Sequence, residues 1–135
     1  MIVLDSSFLI AYHNTRDVHH AAAARAMVHL TAGQWGRALL LEYVFLEVVT
    51  VLRARRGLSL ATSIASTLLA AREIDFVPCS DLLLESFDEF RRQGTRELNL
   101  VDAAILIVAR RSSPGFIATF DEDFRGRDGA EVIPE

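Results

Sequence analysis

Lysine is missing from this chain: all 14 basic residues are arginine. A lysine nucleophile or Schiff base is therefore excluded. Every cationic contact falls to guanidinium groups, which grip phosphate in a bidentate manner. Basic charge is also short, with a formal net charge of -4, which argues against duplex binding by counterion release alone. Cys79 is the one cysteine, so no intrachain disulfide forms, in keeping with a reducing compartment. No run approaches the roughly 18 uninterrupted apolar residues of a membrane span, and the N-terminal stretch carries no positive charge of the kind that opens a secretory signal. A cytoplasmic protein is expected, with no membrane partner. Low-complexity segments, internal repeats and interdomain linkers are absent too. What remains is 135 residues, 51% hydrophobic and 24% charged, enough for one domain over 1–135 with a real core.

Ile2-Val3-Leu4-Asp5 opens the chain as a short buried strand ending on an acid. Ser6-Ser7 offers a helix N-cap and Phe8-Leu9-Ile10 the apolar start of that helix. Asp5 thus stands where a strand ends and a helix begins, the place where open α/β sheets bind ligands. It is either a metal ligand or nucleophile, or an acid that helps to cap the helix.

Further along, Asp17 is expected to cap a helix over 18–30. His19 and His20 lie at its start, but adjacent helical residues face different ways and make a poor chelate. A solvated or capping role is expected for both, and an equally plain one for His13 and His29. Ala38–Leu41 reads as a second strand, followed by a helix over Glu42–Arg56 that Gly57 closes. Arg53, Arg55 and Arg56 suit its C-terminal dipole. Ser59 is expected to cap a helix over 60–72, Phe76-Val77-Pro78 to form a third strand, and Ser80 to cap a helix over 81–93. In that last helix Asp81, Glu85, Asp88 and Glu89 read as an exposed face. Asn99 is a candidate cap for 100–111, a helix apolar all round from Ala103 to Ala109. Phe116-Ile117-Ala118-Thr119 and Val132-Ile133 complete the strands. This alternation predicts an α/β fold with a parallel sheet and helices on both faces.

The acids carry the chemistry. Asp5, Asp102 and Asp121 share one address, after a strand or at a helix start. Glu47 is the only charge between Tyr43 and Leu52, and a lone carboxylate is costly to bury; it either opens onto a polar cleft or binds a cation. Parallel topology brings the strand ends to one edge, where carboxylates crowd. Two unit charges about 4 Å apart repel by roughly 4 kcal/mol at an effective dielectric of 20. Such a cluster needs cations, and oxygen-only ligands select Mg²⁺ or Mn²⁺ over Zn²⁺.

Four stretches resemble the acidic motifs of PIN domains: Val3-Leu4-Asp5-Ser6-Ser7, Leu46-Glu47-Val48-Val49 with Leu52 and Arg53, Leu100-Val101-Asp102-Ala103-Ala104, and Ala118-Thr119-Phe120-Asp121-Glu122-Asp123-Phe124. Their order and spacing are similar to those of small VapC-type ribonuclease toxins, over essentially the whole chain. The resemblance implies a three-layer PIN-like fold with a mostly parallel central sheet of about five short strands. It also implies Mg²⁺- or Mn²⁺-dependent endoribonuclease activity, a homodimer and a cognate antitoxin protein as partner. Carried across, Asp5, Glu47, Asp102 and Asp121 are the catalytic acids, and these four with Asp123 the metal ligands. Asp123 shares or replaces the role of Asp121. Asp5 and Asp102 would hold the principal metal, Glu47 would fix its hydration or a second ion, and Asp121 would orient a water. Ser7 and Thr119 would hydrogen-bond the carboxylates. Glu42 stands where the family often has a small polar residue and is left outside the site. RNA would enter unpaired.

The competing expectation is a catalytically inert PIN-like interaction module. A receiver domain would need a late lysine, which this chain lacks. A haloacid-dehalogenase-type phosphatase would want a second acid at position 7, where Ser7 stands.

Overall fold

The computed structural model describes residues 1–95 and 97–135. Five strands form one sheet in the order β3-β2-β1-β4-β5: β1 (Ile2–Leu4), β2 (Ala38–Leu41), β3 (Ile74–Val77), β4 (Phe116–Ala118) and β5 (Glu131–Ile133). All four pairings are parallel. β1, β2 and β4 are short apolar runs, the pattern of strands covered on both faces. Ile2, Leu4, Leu40, Leu41 and Ile117 are fully buried.

The connections are helical: α1 (Ser6–His13) and α2 (His20–Thr31), α3 (Glu42–Arg56) and α4 (Leu58–Ala70), α5 (Leu83–Arg91) and α6 (Leu100–Ala109). From β1 the chain moves outward to β2 and β3, then returns across β1 to β4 and β5. Parallel crossovers are right-handed, so this reversal places the first two helix pairs on one face and α5 with α6 on the other. The expected three layers follow. α6 packs against β1 and β4, and every residue from Asp102 to Ala109 in it is buried. The order in which strands are added reverses between β1 and β4. The carboxyl ends of those two strands therefore flank the switch point, the crevice where such sheets bind ligands.

Several element boundaries differ from expectation, each for a local reason. Asp17 accepts from the His19 N–H at 2.8 Å in a turn, and α2 starts only at His20. Gly57, at φ +91°, lets the chain reverse within one residue. α4 therefore begins at Leu58, and Ser59 lies in its first turn instead of capping it. Ser80–Leu82 is a single 3₁₀ turn, so α5 starts at Leu83. β3 starts at Ile74, recruited by its register with Ala38, and ends before Pro78. α6 stops at Ala109. β4 stops at Ala118, and the Thr119 N–H instead reaches the Ile133 carbonyl at 2.9 Å. Among the described residues, no helix is long and apolar enough to cross a membrane.

Candidate active site

Leu4 pairs with Ala118, so Asp5 and Thr119 emerge side by side at the carboxyl edge. The Asp5 N–H continues the ladder to the Ala118 carbonyl at 3.0 Å. Asp5 occupies the N-cap position of α1, yet its side chain makes no capping bond. Its Oδ2 instead accepts from Thr119 Oγ1 at 2.6 Å and Ser7 Oγ at 2.8 Å. The two hydroxyls lie 3.1 Å apart. Ser7 Oγ also accepts from the Phe120 N–H at 3.0 Å, and Thr119 Oγ1 from the Asp121 N–H at 3.0 Å. Two hydroxyls thus stitch the end of β1 to the end of β4 and fix one oxygen of Asp5, which is 4% exposed.

Glu47 approaches from α3, whose Val44, Val48 and Leu52 are buried. Glu47 itself is half-buried and accepts from Ser6 Oγ at 3.1 Å. Asp102 approaches from the other face, in the first turn of α6. It forms a capping box with Asn99: its N–H donates to Asn99 Oδ1 at 2.8 Å, and the Asn99 N–H donates to Asp102 Oδ2 at 3.1 Å. Asp121 closes the group beyond β4, its Oδ1 accepting from the Asp123 N–H at 2.9 Å.

Electrostatics tie these four carboxylates together. Burial pushes the Asp102 carboxyl up to about 7; its bond from Asn99 opposes this, and the charges of Asp5, Asp121 and Glu47 push it further up. Burial also raises Glu47, with Ser6 opposing and Asp5 adding to the rise. Asp5 is raised by burial, against its bonds from Thr119, Ser7 and the Ser6 backbone, with Asp121 adding to the rise. No cationic side chain among the described residues figures in these three shifts. Asp123 is exposed and exerts none of these effects; the fourth charge is that of Asp121.

A hard divalent cation suits this donor set, which is all oxygen. Among the described residues, no three acid, histidine or cysteine side chains converge closely enough to enclose an ion by themselves. Mg²⁺ tolerates that geometry, because it binds through one or two carboxylates and keeps several waters.

Sequence reasoning missed the bond from Ser6 to Glu47, 41 positions away, for which no local signal exists. It also missed the reciprocity of Asn99 and Asp102, which the Asn-x-x-Asp spacing does carry. Of the acids expected on an exposed face, Asp81 and Glu85 are exposed, whereas Asp88 and Glu89 are half-buried; Asp88 pairs with Arg91 and Arg92, Glu89 with Arg110, and Glu85 with Arg111. Glu42 accepts from the Cys79 N–H at 3.2 Å.

The PIN domain family matches residues 2–130, and the chain belongs to that family. It is similar to the VapC ribonuclease of Archaeoglobus fulgidus, 26% identical over 54 residues, which are 40% of this chain and 35% of that relative. The match thus spans about a third of that relative's length. The fold of this chain is similar to the crystal structure of Mycobacterium tuberculosis VapC20, described as a sarcin-ricin loop cleaving toxin, with a TM-score of 0.79 and 27% identity over 92% of both chains.

Proposed function

We propose that this chain is an endoribonuclease dependent on Mg²⁺ or Mn²⁺, the toxin of a toxin–antitoxin pair, acting in the cytoplasm. Its substrate is structured or single-stranded RNA, in which it hydrolyses phosphodiester bonds. One observation carries the reading: Asp5, Glu47, Asp102 and Asp121 come from separate elements to one crevice, Asp5 and Asp102 are buried there, and the charges of the other three push the Asp102 carboxyl up. Like charges gathered against their own repulsion, at a crevice between strand ends, mark a functional site and not a structural pair.

Each residue has a defined task. Asp5, at the end of β1, and Asp102, in the first turn of α6, would hold the principal cation. Ser7 and Thr119 keep Asp5 in one orientation, and the box with Asn99 does the same for Asp102. Glu47, steered by Ser6, would fix water around the cation or hold a second one. Asp121 would orient a water for attack on phosphorus, with Asp123 beside it as an alternative ligand. When bound, the cation acidifies a water and neutralises charge developing on the phosphate. The similarity to two VapC proteins, one named a ribonuclease and the other a sarcin-ricin loop cleaving toxin, supports RNA as substrate; an antitoxin protein and a second copy of the chain are the partners this reading adds.

The test is cleavage of a labelled RNA by the purified protein under EDTA and after Mn²⁺ is restored. Cleavage should vanish with the chelator and return with the ion. Cation-independent cleavage, or none in either state, would sink the proposal.

A further inference from the structure

Beside the acid cluster, three rings lie nearly parallel and lead from core to solvent. Phe8 is fully buried. Phe120 is half-buried and stacks on it with ring centres 6.0 Å apart and planes 18° apart. His19 is exposed and stacks on Phe120 at 4.3 Å and 8°.

Two features connect this ladder to the chemistry. Phe120 sits between Thr119 and Asp121 in the chain, and its N–H donates to Ser7 Oγ, which in turn donates to Asp5. The Phe120 backbone is thus two hydrogen bonds from the Asp5 carboxylate. His19 is also held from behind: its N–H donates to Asp17 Oδ1 at 2.8 Å, and its carbonyl accepts from the Ala23 N–H at 2.9 Å in the first turn of α2. A planar ring whose backbone is pinned loses little freedom when a ligand stacks on it.

We propose that His19, backed by Phe120, is a stacking platform for an unpaired nucleobase of the RNA, adjoining the scissile phosphate. The proposal rests on the ribonuclease reading and adds a substrate-positioning residue to it. An unpaired base offers a bare π-face for such a platform, whereas a paired base is already covered above and below. Base-to-aromatic stacking accepts any base, so the platform fixes the position of the strand more than its sequence. The negative overall charge leaves phosphate attraction weak, which increases the share of binding that stacking must supply.

The experiment measures binding of a fluorescein-labelled single-stranded RNA by anisotropy in EDTA, and KM and kcat in Mn²⁺. It compares wild type, His19→Ala, His19→Gln and His19→Tyr, with thermal melts as a check on folding. Loss of the ring in His19→Ala and His19→Gln should weaken binding and raise KM by on the order of tenfold. kcat should stay close to wild type, and His19→Tyr should recover most of the loss. Binding unchanged in His19→Ala overturns the platform and leaves the ribonuclease reading standing. A His19→Gln protein as good as wild type, or a His19→Tyr protein as poor as His19→Ala, also overturns it, because the ring would then not be what matters. A wild type that neither binds nor cleaves RNA overturns both.

Discussion

Asp75 and Asp102 lie near the two opposite edges of one sheet, and their surroundings pull them in opposite directions. Asp75, near the amino end of β3, is clasped by Arg37 just before β2, with Arg37 Nε donating to Oδ2 at 2.9 Å. Both side chains are about half exposed. The guanidinium holds the Asp75 carboxyl below its ordinary range. Asp102, at the carboxyl edge, is buried among other carboxylates and is pushed up to about 7. The first acid has its charge answered inside the chain and exposed to water. The second has charge of its own sign for company. Burial and like charge that raise a carboxyl in this way concentrate at functional sites, which is why the carboxyl edge reads as the working end.

The largest expected effect comes from Asp102→Asn, which keeps the shape and removes the charge. RNA cleavage in Mn²⁺ should fall by about a hundredfold or more, since loss of a ligand exceeds the usual 10–100-fold cost of losing a residue behind it. Stability should move the other way in cation-free buffer. Asp102 has a folded pKa of about 7 against an ordinary 3.8, so its raised pKa costs nothing at a pH below its ordinary value. The cost grows as pH rises towards 7, to about 4 kcal/mol at the upper limit. Wild-type melting points in EDTA should therefore drop between about pH 4 and 7, and the variant should drop less. Parallel curves would break the comparison. Glu47 and Asp5, raised in the same direction, leave the variant with a residual slope.

Thr119→Val is the next probe. It keeps the shape but removes the bond to Asp5 and the acceptor for the Asp121 N–H. Cleavage should fall about 10–100-fold, and urea unfolding should show a loss of about 1–3 kcal/mol. Full activity would mean that the stitched strand ends do not set the geometry of the carboxylates. The smallest effect belongs to the other edge. Arg37→Ala cuts a solvated pair, and such pairs contribute little. Its melting point and cleavage rate should match wild type, and a marked loss of either would erase the contrast between the edges.

Much of the scaffold could be read residue by residue. Val3-Leu4 ahead of Asp5, Asn99 ahead of Leu100, and Gly57 after Arg56 are local signals, and local chemistry decides them. Boundaries slipped where Gly57 prevailed over Ser59 for the start of α4, and where Ser80 opened a 3₁₀ turn ahead of α5. At the site, the different surroundings of Asp121 and Asp123 were not legible. Both follow β4 in the same acidic run, and the turn at Glu122–Phe124 leaves Asp121 half-buried and Asp123 exposed. The exposure of His19 and its place at the start of α2 agree with a solvated or capping residue, but its stacking on Phe120, 101 positions later in the numbering, has no local signature.

From the sequence alone came the kind of chemistry: all-oxygen donors, no lysine, and acids where β1 runs into α1, at the start of α6 and just beyond β4. Those are properties of residues and their near neighbours, where spacing and capping act over a turn or two. Tertiary structure alone decided that Asp5, Glu47, Asp102 and Asp121 feel one another's charge. Their convergence depends on the chain crossing back over β1 to lay down β4, which brings parts of the chain more than a hundred residues apart to the same crevice. Carboxylate pKa values respond to distance and burial in three dimensions, and neither is written in the order of the residues.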